Sequence, residues 1–425
     1  MKQSIKIYDI IIIGSGIAGL YSAYKIKKMS DKISFLVLEK YKKKWIGGRM
    51  NNETFHGTQI VTGAGIGRKD TNPLLIKLLR ELHVPFEKSI SIMNYSNLLP
   101  NHYEFDVVKI IDFLKTEYNK NPDKYKHLPF KDFGILMLGD HNYKLFTIYA
   151  GYTDYENADI YETLYNYGMD DNKGGWPILY IPWKELVERL CEYIDYKNIK
   201  NSNNVTSITK INDSDQPSLF EIRTEQNIAY YCNKVILATT ISGIKKLIPG
   251  ALKPQSVYNE IHSQPFLRLY AKFDKKSSAV LEKYVSNYTI VPGPLQKIIP
   301  INSKNGVYMI AYSDNFNAEI LKNYLKNNYT NRKFYEKLVE QSLGIPEKSL
   351  KIEDLKDFYW PIGTHYYSPL HGPYKNRSEF IYKAQHPMDG ILVVGEAVST
   401  YQGWVEGALE SVEAVVNKKW VQTIC

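Results

Sequence analysis

Apolar residues fall along this chain in patterns that change from one stretch to the next. Ile10–Ile13 is an unbroken β-branched run, and Ile33–Leu38 and Ile391–Val394 are further short, largely apolar stretches. Runs of this kind suit parallel strands covered on both faces. From Ile17 to about Lys28 apolar positions return at helical spacing, and they do so again over Glu185–Ile194, Glu319–Asn327 and Arg332–Leu343. Phe266–Phe273 has the alternation of a strand with one covered face. Thr147–Gly168, TIYAGYTDYENADIYETLYNYG, is crowded with aromatics but follows neither period, and reads as loop. No internal repeat or low-complexity linker divides the chain. Strand, helix and strand in succession at the N-terminus predict an α/β fold built on a parallel sheet.

The first strand carries the first chemical signal. In IYDIIIIGSGIAGL, Gly14, Gly16 and Gly19 follow the apolar run in GxGxxG spacing, with Ile17 and Ala18 opening the helix. Gly14 permits the tight turn, Gly16 lets a pyrophosphate reach the backbone, and Gly19 lets helix and strand pack closely. The helix start turns unpaired N–H groups and a positive dipole end toward that anion. The second run ends at Glu39, some 20 residues beyond Gly19, where a carboxylate accepts hydrogen bonds from an adenosine ribose, with Lys40 beside it. Together these make a Rossmann-type dinucleotide site, for NAD or FAD. Near the C-terminus, VVGEAVSTYQGWVEGALESVEAV sets Gly395 and Glu396 at the mouth of a buried strand. Gly403, Gly407 and Ala408 then stand at a helix start. Glycine there costs stability unless something approaches the backbone closely.

Composition narrows the field. At 425 residues, with 44% hydrophobic and 23% charged, the chain has room for two packed domains and the make-up of an ordinary soluble protein. Its 35 tyrosines match the bias of AT-rich coding DNA, as in viruses and protists, though tyrosine also lines pockets well. The net charge of +9 is spread out; Lys42–Lys44 is the one tight basic run and no nucleic-acid-binding module accompanies it. Cys191, Cys232 and Cys425 are far apart, without metal or disulfide spacing, so an intracellular, reducing, metal-free protein is expected. Ile5–Ile13 is too short and too polar for a signal peptide, and no apolar run is long enough to span a membrane.

The residues beyond Glu39 separate the two dinucleotides. The chain continues YKKKWIGGRMNNETFHGTQIVTGAGIGR, with Gly47-Gly48-Arg49 and then Gly63-Ala64-Gly65-Ile66-Gly67. Taken with Gly395-Glu396, this order resembles the flavin-containing amine oxidase superfamily, which includes monoamine, polyamine and L-amino acid oxidases. The resemblance implies FAD. Arg49 would contact the pyrophosphate, Gly63–Ile66 would run along the isoalloxazine, and Glu396 would bind the ribityl or phosphate region. Trp404 would stand beside the ring, and Val405 would offer its N–H to the pyrimidine edge. Gly174-Gly175-Trp176 and the helix after it resemble the family's return to the FAD domain. Val205 matches its adenine contact, and Val235–Thr240 its strand beneath the cofactor. The layout implies a discontinuous FAD domain of residues 1–82, 174–256 and 357–425, interleaved with an α+β substrate domain of 83–173 and 257–356.

Two positions depart from the family. Aligned on Trp360-Pro361-Ile362-Gly363, His365 takes the place of the second aromatic wall with Tyr366 next to it, and Thr364 stands where some members carry a flavin-linking cysteine. A hydroxyl makes no such link, so the FAD would be non-covalent. His365 reads either as a general base or as a stacked wall. Arg268 occupies the place of the lysine that holds a water near the flavin, and Arg, unlike Lys, stays cationic. It reads either as a cation in the active site or as half of a structural salt bridge. The resemblance implies an FAD-dependent oxidase of an amine or amino acid: a hydride leaves a C–H next to nitrogen, the imine hydrolyses, and O₂ reoxidises the flavin to give H₂O₂. Arg268 and His365 keep open a desaturase or oxidase of a non-amine substrate, and a silent FAD-binding protein is a further alternative.

Overall fold

The computed structural model describes residues 6–99, 105–167, 172, 174–211 and 218–422. Its organising element is the strand Ile7–Ile13, buried from Ile10 onward because both faces of its sheet are covered. It pairs in parallel with Phe35–Leu38 on one side and Ala229–Leu237 on the other, so that Ile13 lies opposite Leu38 and Leu237. Ile199–Lys200 extends one edge in parallel. On the other side Phe220–Thr224 and Val205–Lys210 continue antiparallel, while Ile391–Val393 runs parallel to the end of Ala229–Leu237. Alternate side chains serve opposite faces. Ile10 and Ile12 join a core with Leu20, Leu186 and Leu409 from the helices Ile17–Met29, Trp183–Ile194 and Val405–Val415. Ile11 and Ile13 join Ile244 and Phe380 from the helices Ile241–Leu247 and Arg377–Gln385. The carboxyl ends of these parallel strands therefore meet along one rim, where open α/β sheets bind ligands.

A second, six-stranded sheet stands against this rim. Its order is Ile352–Tyr367, Ile261–Phe273, Val307–Asp314, Lys297–Asn302, Tyr288–Ile290 and Met93–Tyr95, antiparallel except for the last pair. Leu267, Leu269 and Ile310 pack on the helices Asn315–Leu321 and Tyr329–Leu343. Ile290 and Tyr312 belong to an aromatic core built with the helices Val107–Lys120, Phe130–Leu138 and Asp140–Ala150. Strand Ile352–Tyr367 passes unbroken through residue 357, the expected domain boundary, and delivers Gly363–Tyr367 to the rim of the first sheet.

Two local expectations change. Part of the aromatic stretch read as loop is helical: Asp140–Ala150 covers its start and Glu162–Tyr167 forms a π-helical turn, while Gly168 lies outside the described residues. Tyr143, Phe146, Tyr149 and Ala150 supply a buried face at helical spacing, and that burial overrides the modest helix propensity of aromatics. The helix expected over Glu319–Asn327 instead runs from Asn315 to Leu321 and tightens into a 3₁₀ turn at Lys322–Tyr324, because Leu321 is its last core side chain. Among the described residues no helix is long and apolar enough to cross a membrane.

Candidate functional site

A cavity of about 1400 Å³ lies between the two sheets, and every cofactor-binding or catalytic candidate from the sequence except Gly19 lines it. Gly19 acts one layer behind: a Cβ there would stand 1.9 Å from the carbonyl oxygen of Gly14. Gly14 itself has φ +107°, and a side chain would meet Ala238 O at 2.3 Å. These two glycines let strand, turn and helix close on one another. Gly16 differs. A Cβ there would meet nothing within 4 Å, so its backbone faces the open cavity, and as N-cap it provides no capping side chain to the helix behind it. A site for a phosphate needs that combination.

Three tethers fix the rest of this rim. Glu39 accepts from the N–H and Oγ of Ser15 (2.9 and 2.6 Å) and from the N–H of Tyr41 (2.8 Å), which holds its carboxylate against the glycine turn. The N–H of Gly47 donates to Ser15 O at 2.9 Å and docks the Gly-Gly-Arg segment on the same turn. Arg49 then reaches across, donating to Gly363 O (2.6 Å) and to Glu396 (3.1 Å). Lys40 and Val205 line the cavity nearby.

Glu396 is the best-satisfied group of the site. Besides Arg49 it accepts from the N–H and Nδ1 of His365 (both 2.7 Å) and from the N–H of Gly403 (3.1 Å). Burial works against its charge, but His365 and Arg49 outweigh it and hold the carboxyl well below the usual carboxylate range. The Nε2 of His365 accepts from the N–H of Ile241 at 3.1 Å, which makes Nδ1 the donor to Glu396 and leaves the ring no free lone pair. With 3% of its surface exposed, His365 joins Glu396 to the start of helix Ile241–Leu247, and is placed neither to take a proton nor to stack in the cavity. Its neighbours in the strand point the other way. Thr364 sits against Gly403, and Tyr366 stacks on His262 at 5.2 Å between ring centres.

Between the two sheets, Arg268 donates from Nε to Gly63 O at 2.7 Å, and its guanidinium lies 4.2 Å from the centre of the Tyr312 ring. A Cβ on Gly65 would come 2.9 Å from Arg268 Nη2, so the bare loop Gly63–Ile66 is what admits this side chain. Arg268 is 3% exposed, and among the described residues no carboxylate pairs with it; the salt bridge allowed by the sequence is absent there. Trp404, the N-cap of Val405–Val415, has the Arg68 guanidinium over its ring at 4.0 Å, with Trp176 at 5.0 Å from the same cation. Gly407 behind it faces protein rather than cavity: a Cβ there would meet Tyr401 O at 2.0 Å.

The wall on the second sheet carries residues that no motif marks. Asp154 lines the cavity and accepts from the hydroxyl of Tyr167 at 2.7 Å; its carbonyl accepts from Gln264, which also donates to Thr364. Ser15, Tyr41 and Arg68 also line the cavity without belonging to a motif named above. Ser15 had a local signal, being the variable residue inside the glycine turn, whereas Asp154 depends on Gln264, 110 residues away, and had none.

An NAD(P)-binding Rossmann-like domain model matches residues 12–82. No curated protein matches the sequence. Among solved structures, the fold is similar to wild-type putrescine oxidase bound to putrescine, at 14% identity with a TM-score of 0.74 over 97% of this chain and 98% of that one. A triple mutant of putrescine oxidase gives 15% and 0.73 over 96% and 98%. Cyclohexylamine oxidase from Brevibacterium oxydans IH-35A gives 14% and 0.73 over 99% and 100%. At this identity the likeness establishes a shared fold across the whole chain.

Proposed function

We propose that the protein is an FAD-dependent amine oxidase with a non-covalently held cofactor. The observation that carries this reading is the continuity of the cavity, which joins a dinucleotide-type turn to an aromatic-walled pocket across the bare Gly63–Ile66 loop. The residues fit FAD. Gly14–Ile17 and Arg49 would hold the pyrophosphate, Glu39 the adenosine ribose and Val205 the adenine, with Gly395–Glu396 on the ribityl side. Gly63–Ile66, Trp404 and Val405 would frame the ring, and Thr364 has no thiol with which to bond it. The names of the two oxidases that share the fold are in keeping with an amine substrate.

When bound, FAD supplies the acceptor for a hydride from the carbon next to nitrogen, leaving an imine for water to hydrolyse and electrons for O₂ to remove as H₂O₂. The chain's own part is orientation and field. Arg268 stays cationic and His365 has both ring nitrogens engaged, so neither takes up a proton. Arg268 holds a fixed positive charge against the Gly63–Ile66 loop, where it would favour negative charge on a bound flavin. The same cation favours a second reading, a substrate carrying a carboxylate, as in an amino acid oxidase.

Anaerobic titration of the purified protein with amines, amino acids and non-amine alcohols tests the proposal. Bleaching of the cofactor band by amines, its return in air and matching peroxide support it. Bleaching by amino acids alone moves the assignment to the second reading, and no bleaching by any nitrogen compound rejects both. Acid precipitation should leave the cofactor in the supernatant; a yellow pellet refutes the non-covalent assignment.

A further inference from the structure

The helical cover of the second sheet carries a surface that the cavity does not use. Side chains alternate along the strand Ile261–Phe273: Arg268 and Tyr270 line the cavity, while Leu267 and Leu269 face the helices Asn315–Leu321 and Tyr329–Leu343. Those two helices form one layer, and what they turn away from the sheet is turned away from the cavity as well. In the first helix Ala318 and Leu321 are buried in the core, yet Phe316 and Ile320 are apolar too and stand 70% and 37% exposed. Tyr324, also exposed, continues this stripe four residues on, at the end of the 3₁₀ turn Lys322–Tyr324. A single exposed apolar residue is ordinary. Three at every fourth position, on a helix already committed to the core, make a second apolar face.

The second helix sets charge beside this stripe. Its buried residues Tyr335, Val339 and Leu343 leave Tyr329, Lys333 and Lys337 exposed at the same spacing of four, with the Lys333 ammonium 5.7 Å from the centre of the Tyr329 ring. Tyr324 stacks on Phe334 at 4.2 Å between ring centres, which joins the two helices at the surface. Residues 315–337 carry five cations and two carboxylates. The carboxylates, Glu319 and Glu336, are taken by Lys322 and Lys333. Among the described residues Lys326, Arg332 and Lys337 have no carboxylate partner, so the layer is left with a net positive charge.

An apolar stripe beside a basic one narrows the choice of partner. A second copy of this chain, paired about a two-fold axis, would set the same lysines against one another. A nucleic-acid backbone would take up the lysines and leave Phe316 and Ile320 in water. A bilayer with acidic headgroups satisfies both stripes: acyl chains receive Phe316 and Ile320, the tyrosines sit at headgroup level, and the lysines meet the anionic headgroups. We propose that this layer is a docking surface for an anionic lipid bilayer, on which the protein lies peripherally. The second sheet then stands between the bilayer and the cavity.

Flotation with vesicles tests this, comparing phosphatidylcholine alone with phosphatidylcholine mixed with phosphatidylserine. The wild type should partition at least about tenfold more strongly onto the acidic vesicles, a preference that added salt removes. The double variant F316D and I320D should lower that binding at least about tenfold, and the double variant K326E and K337E should abolish the preference. All four positions are exposed, so both variants should melt as wild type does. A wild type that stays off acidic vesicles overturns the proposal and requires no variant to fold. Binding that survives both variants overturns it too. A dimer in sedimentation that F316D and I320D dissolve, without vesicle binding, gives the face to a second copy and likewise refutes the lipid surface. None of these readouts involves the cavity, so the result stands apart from the oxidase reading.

Discussion

The two walls of the cavity are made differently. The cofactor wall is backbone: strand ends, a glycine turn and a bare loop, with Glu39, Arg49 and Glu396 as the few side chains tying them together. The opposite wall is side chain, with Asp154, Tyr167, Gln264, Lys297 and Tyr312 brought in from separate elements of the second sheet and its helical cover. A backbone wall is set by short sequence patterns and serves one large ligand. A side-chain wall is set by long-range packing and tunes which small ligand fits beside it.

The sharpest break in this comparison comes from Gly16→Val. A Cβ at this position meets no atom of the protein within 4 Å, and the Gly16 φ of −68° suits any residue. The cofactor-free protein should therefore melt within about 2 °C of wild type, while cofactor affinity, read by titration, falls at least about 100-fold. Unfolding of this variant would mean that the turn serves the fold as much as the ligand. Next in size is Glu396→Gln, which leaves Arg49 facing a neutral group and sets an amide N–H₂ among donors. Urea unfolding should show a loss of about 3 kcal/mol. The Glu396 carboxyl is depressed in the fold, so its contribution is complete above the ordinary carboxylate pKa and is lost only as pH falls through its own lower value. The gap between the proteins should therefore close only in strong acid.

At the opposite wall the sign reverses. Asp154 titrates near 7 in the fold and near 4 when unfolded, so wild type loses stability relative to Asp154→Asn as pH rises through that window. Above pH 7 the variant should be more stable by about 1–2 kcal/mol, and the two should converge below pH 4; a variant that is less stable at pH 8 would show that the carboxylate is compensated in the fold. The smallest effect is expected of Glu406→Gln. Its carboxylate accepts from the N–H groups of Leu74 and Leu75 (2.8 and 2.9 Å) and caps the helix Pro73–Glu81 from outside. A loss of about 0.5–1 kcal/mol with cofactor binding unchanged would mark it as purely structural.

The same contrast explains what the sequence disclosed. Strand, turn, helix and Glu39 lie within one short stretch, and each glycine reports a local clearance that its neighbours dictate, so that wall was legible. Gly407 misled because a close approach leaves the same residue whether ligand or backbone approaches; its partner is the Tyr401 carbonyl. His365 was read only from its offset to Gly363, and nothing local says that its ring turns to Glu396. Asp154 was invisible because its environment is assembled by Gln264, Asp314 and Lys297, all more than 100 residues away in the chain.

The end of strand Ile352–Tyr367 carries a further consequence. Buried and half-buried positions alternate there, with Gly363, His365 and Tyr367 on the buried, inward side and Thr364 and Tyr366 on the half-exposed, outward side. The inward set is committed: a Cβ on Gly363 would stand 2.2 Å from that of Phe266, His365 holds Glu396, and the Tyr367 hydroxyl donates to Ser399 O. The outward pair carries none of these duties. One short segment thus separates inheritance from adaptation, since mutation at residues 364 and 366 can retune the substrate pocket while 363, 365 and 367 keep the scaffold that any new specificity would still need.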